Sequence, residues 1–154
     1  MADRYGKNYA KTIAFPPDKI PMVDAYGKLY TSYDEYDLGG VAATSGDLIY
    51  MMKIPAGVRI VDVVLLSAAL TGASLAVGQI APGQLEAGAG TSVAGFIPTT
   101  AVAAVPVIAK MSTVATNAFQ FLLTTAEMQI GIKVTATGTA TTGLIKLMVI
   151  YAAS

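Results

Sequence analysis

The chain has 154 residues and a mass of 15.8 kDa, the size of one ordinary domain, with no room for separate cofactor and substrate domains. It contains neither Cys nor His, which removes the usual structural zinc sites, thiol catalysis and every nucleophile that relies on a His base. Lys plus Arg and Asp plus Glu both number 10, for a formal net charge of zero, so no global basic field attracts nucleic acid or anionic lipid.

Hydrophobic residues make up 54% of the chain and charged residues 13%, about half the usual charged share of a soluble domain. Such a chain is a membrane protein, an aggregation hazard, or a subunit whose faces are covered by other subunits. The distribution of charge favours the third. Residues 1–60 hold 14 of the 20 charged side chains and residues 61–154 hold 6. Seven of the eight tyrosines also fall early, with Tyr151 the late exception.

The first 40 residues show no sustained apolar period of 2 or 3.6, and Pro16, Pro17, Pro21, Gly6, Gly27, Gly39 and Gly40 interrupt them. Residues 1–42 are therefore expected to form an extended arm that gains fixed structure by lying across a neighbouring subunit, and residues 43–154 the folded domain. The start of the chain carries Asp3, Arg4, Lys7 and Lys11 without an apolar core, so no secretory signal is expected and the product is made for the cytoplasm. Asp34, Glu35 and Asp37 cluster acidic oxygens of the kind calcium takes, but without EF-hand spacing they read as a solvated or salt-bridged turn.

Past residue 45 the residue types change to those that suit pleated sheets. Residues 47–54 and 58–67 are apolar runs joined by Pro55, Ala56 and Gly57, a turn signal that predicts a strand pair with positive φ at Gly57. Residues 74–80, 93–97 and 102–108 predict further short strands. Residues 83–91 are rich in glycine, yet Ala89 stands where a phosphate loop needs Lys, so a surface loop is expected. Residues 87–109 run 23 positions without a charge, but Pro98, Pro106 and several glycines break any membrane-spanning run. Residues 109–118 can hold a helix and residues 119–124 another strand.

Residues 129–135 alternate cleanly, with Ile130, Ile132 and Val134 on one face. With the Thr, Ala and Gly segment that follows, and the run 144–151, they read as a hairpin. The last run is apolar on both faces except at Lys146, which predicts a central strand or one whose second face a partner covers. Ile132 and Ile150 are both assigned to the core. The fold class is all-β: an antiparallel β-sandwich, with a jelly roll as one wiring, preceded by an extended N-terminal arm. Nothing points to catalysis: none of the seven Ser residues has a Lys three positions on, and no carboxylate pair is singled out. No catalytic, cofactor-binding or metal-binding residue is assigned. The chain also lacks Trp, which weakens a sugar-binding sandwich as the alternative.

The segment Ile54-Pro55-Ala56-Gly57-Val58-Arg59-Ile60-Val61-Asp62, preceded by Gly46 to Tyr50 and followed by Leu75-Ala76-Val77-Gly78, resembles small virion structural proteins of tailed bacteriophages, most of all capsid decoration, or cement, proteins. The likeness continues at residues 130–134 and 145–151 and covers about half the chain. It implies a noncatalytic subunit, often a homotrimer, on the outside of the virion head, with the major capsid protein as partner, no cofactor, and no contact with nucleic acid or membrane. Other virion roles (head fibre base, tail or baseplate component) remain open beside it. Interface hot spots favour aromatics and Arg, so the expected capsid or subunit contacts are Arg4, Tyr5, Tyr9, Tyr26, Tyr30, Tyr33 and Tyr36; each can equally cover an edge of the chain's own core.

Overall fold

A computed structural model describes residues 3–5, 29–80, 92–102, 105–113 and 127–153, with the side chains of residues 3–5, 92–94 and 153 outside the description. The described residues form nine strands: β1 (Asp3–Tyr5), β2 (Leu29–Asp37), β3 (Leu48–Ile54), β4 (Val58–Ser67), β5 (Ser74–Ile80), β6 (Ser92–Ala101), β7 (Val107–Lys110), β8 (Met128–Ala136) and β9 (Leu144–Ala153). One 3-10 turn, Met111–Thr113, follows β7. The expected strand at 119–124 and the glycine-rich loop at 83–91 lie outside the described residues, as does the second half of the expected helix at 109–118; its first half is the end of β7 and the 3-10 turn.

The strands form two sheets, ordered β1-β3-β8-β5-β6 and β2-β9-β4-β7. β1 joins the first sheet in parallel with β3. The remaining eight strands form four nested antiparallel pairs: β2 with β9, β3 with β8, β4 with β7 and β5 with β6. A chain folded back along its length and rolled into two four-stranded sheets has this order, so the expected sandwich is wired as a jelly roll.

Two local expectations are corrected by this wiring. β3 and β4, joined by the Pro55-Ala56-Gly57 turn, lie in different sheets, as do β8 and β9. Neither pair is a hairpin. The turn itself forms as expected, with Gly57 at φ 78°, but it carries the chain across the sandwich. In both cases consecutive strands bring apolar side chains to the core from opposite sheets: Ile49, Met51 and Ile54 face Ile60, Val63 and Leu65, and Ile130, Ile132 and Val134 face Ile145, Leu147 and Val149. Pairing such strands edge to edge would leave one layer of apolar side chains without a second to pack on.

The segment between β8 and β9 shows how the crossing is held. Gly138 N donates to Ala43 O at 2.9 Å, Thr139 N to Thr71 O at 2.8 Å, Gly40 N to Thr141 O at 2.9 Å and Leu38 N to Gly143 O at 3.1 Å. Three loops at one end of the sandwich are thus stitched through backbone. A Cβ on Gly138 would lie 3.0 Å from Ala73 Cβ and 3.3 Å from two carbonyl oxygens, so the small residues read as a hairpin turn are there to let loops from both sheets approach.

The folded domain also begins earlier than residue 43. Leu29–Asp37 is a nine-residue strand paired along its length with β9. Its sequence, LYTSYDEYD, lacks Val and Ile and so escapes a reading based on apolar period, yet Asp34 is fully buried and Leu38 just beyond it is in the core. Of the expected arm, residues 6–28 lie outside the described residues. Strand alternation also separates the acidic cluster: Asp34 faces inward beside Leu147, and Glu35 and Asp37 face outward beside Lys146 and Leu144.

β9 is central, between β2 and β4, as its two apolar faces predict. Ile132 is fully buried. Ile150 is not in the core: it pairs with Thr31 and Asp62 on the outward side and is half-buried. Ile132→Asp is therefore expected to lose about 3 kcal/mol or more of stability by burying a charge without a partner, whereas Ile150→Asp should stay within about 1 kcal/mol; urea unfolding of the two variants checks this. Gly131 gives a second expectation. A Cβ there would collide with Ile80 Cδ1 and lie 2.5 Å from Ile49 O, so Gly131→Ala should cost about 1 to 3 kcal/mol, the usual cost of overpacking, in the same measurement.

Candidate interaction surface

The two sheets differ on their outward sides. In the first sheet, the register places Leu48 and Tyr50 opposite Lys133 and Gly131, and Ile80 opposite Gln129, on the side away from the core. Leu48, Tyr50 and Ile80 are nonetheless buried and form a second apolar cluster. This sheet is covered on both faces.

The second sheet is not. Its outward side chains run in cross-strand rows: Leu29, Ala152 and Arg59; Thr31, Ile150 and Asp62; Tyr33, Met148, Val64 and Lys110; Glu35, Lys146, Leu66 and Ile108; then Asp37 and Leu144. Leu29 is 65% exposed, Ile108 67% and Tyr33 45%, and Leu66 and Leu144 are exposed beside them. Of the seven exposed large hydrophobic residues among the described ones, five lie on this face; the other two, Val41 and Val105, are elsewhere. An apolar stripe therefore crosses the sheet diagonally, from Leu29 at the β2 edge through Ile150, Met148 and Leu66 to Ile108 at the β7 edge. Single exposed hydrophobics are ordinary, but a contiguous stripe flanked by charges marks an interaction surface.

The rim of the face is fixed by Asp62, where β4 bulges between Ile60 and Asp62. Its Oδ1 accepts from Val63 N at 2.9 Å and Ser112 N at 3.1 Å, and its Oδ2 from Ser112 Oγ at 3.0 Å. These bonds pin the 3-10 turn against β4, beside the buried outward residue Val64. At the opposite edge the Tyr33 hydroxyl donates to Glu35 Oε2 at 3.1 Å.

The expected contact residues do not converge on one place. Arg4 and Tyr5 lie on β1, paired in backbone with Ile49 and Tyr50. Tyr9 and Tyr26 lie outside the described residues. Tyr30 faces inward and stacks on Tyr151, with ring centroids 5.7 Å apart, and Tyr36 packs against the core. Tyr33 is the one described tyrosine of the set on the exposed face. Leu29, Leu66, Ile108, Leu144 and Met148 were not singled out in the sequence, although the two-sided apolar pattern of residues 144–151 is the signature of Leu144 and Met148. No group of three or more acidic residues that could hold a metal ion occurs among the described residues, and none of their helices is long and apolar enough to cross a membrane.

The fold is similar to that of known phage capsid chains. A chain in the structure of the capsid of Ralstonia phage GP4 superposes with a TM-score of 0.74 at 19% sequence identity, over 99% of this chain and 99% of that chain. A chain of the cyanophage Pam1 capsid asymmetric unit superposes with a TM-score of 0.58 at 20% identity, over 88% of this chain and 92% of that chain. No protein-family model and no curated protein sequence matches the chain. The resemblance to small virion structural proteins seen in the strand and turn segments is thus borne out at the level of fold: a phage-capsid-type β-sandwich, similar to these chains across nearly its whole length.

The Asp62 anchor has a direct test. Asp62→Ala removes all three hydrogen bonds to Val63 and Ser112 and should destabilise the chain by about 1 to 3 kcal/mol, whereas Ser112→Ala, which leaves both backbone bonds, should cost about 1 kcal/mol or less. Denaturant midpoints compare the two.

Proposed function

We propose that this protein is a noncatalytic capsid decoration (cement) subunit, bound to the outer surface of an assembled phage head as a homotrimer and stabilising contacts between major capsid subunits. The observation that carries the reading is the GP4 likeness, which spans 99% of both chains: this small β-sandwich has the fold of a chain found in a phage capsid. The charge-poor composition and the exposed apolar face support it, because both belong to a chain that works in contact with others.

Cementing needs no bond chemistry. A subunit that binds the assembled lattice and not its dissociated parts stabilises the lattice by its binding free energy at every occupied site. Arg4, Tyr5, Tyr9, Tyr26 and Tyr33 are the contact candidates toward the shell. Tyr30 and Tyr36 hold β2 in the sandwich, so their removal acts on contact through the strand.

The test is addition of the purified protein to mature heads that lack it. Saturable binding, with a rise in the temperature at which the heads release their contents, is the expected result. If the protein instead has to be present while shells form and cannot be added afterwards, it is an integral shell subunit and the cement reading fails. Deleting residues 2–28 should leave the β-sandwich folded by circular dichroism and weaken binding to heads by at least tenfold.

A further inference from the structure

We draw no further inference here: the strongest candidate, the exposed apolar stripe from Leu29 to Ile108 on the outward face of the β2-β9-β4-β7 sheet, carries none, because its charges are interleaved and nothing in the structure shows what covers it.

Discussion

A sandwich can bury one side of each sheet against the other, and this chain has more apolar side chains than two inward faces can take. Six charges across residues 61–154 mean that its strands cannot all be apolar inside and polar outside. The consequences differ between the sheets. In the first, Leu48, Tyr50 and Ile80 form a second buried layer, with Gly131 supplying the space that Ile80 fills. In the second, Leu29, Leu66, Ile108 and Leu144 remain in contact with water. The surplus of apolar surface has been solved within the chain on one side and left open on the other, and the open side is where association gains most from removing water.

The same economy explains the loops. Four nested antiparallel pairs require the chain to cross between sheets repeatedly, and the crossings gather at the ends of the sandwich. There the 38–47, 68–73 and 137–143 segments satisfy one another's backbone groups, as buried polar backbone must. Small residues make this close approach feasible. A rigid frame of this kind suits a subunit that has to present one flat face in a fixed orientation, because little of the binding energy is then spent on ordering the partner surface.

Capsid-type likeness and an open apolar sheet are independent observations. One comes from the path of the backbone and the other from outward side chains that sheet packing does not use. At 19% identity over nearly the full length of both chains, most side chains differ while the path persists, as expected where the packing of apolar layers, rather than particular residues, maintains a fold. Contact residues are free to vary on such a frame, and for that reason function has to be argued from the face this chain itself presents.

Period and composition alone determined that the chain is an all-β domain, where most strands of the second half lie, that β8 buries Ile130, Ile132 and Val134, that Gly57 turns with positive φ, and that β9 is central. These are local properties: alternation and turn chemistry act over a few residues, and burial of one or both faces leaves its mark on residue type. Which strands pair was decided by the tertiary structure. Val58 follows Ile54 by four residues, yet its strand pairs with residues 144–153, because the gain lies in stacking two apolar layers and not in joining neighbours along the chain. β2 was hidden for the same reason, its polar sequence held in place by β9. Whether Ile150 faces the core or the water could not be read from a run that is apolar on both sides; the register with Thr31 and Asp62 settled it.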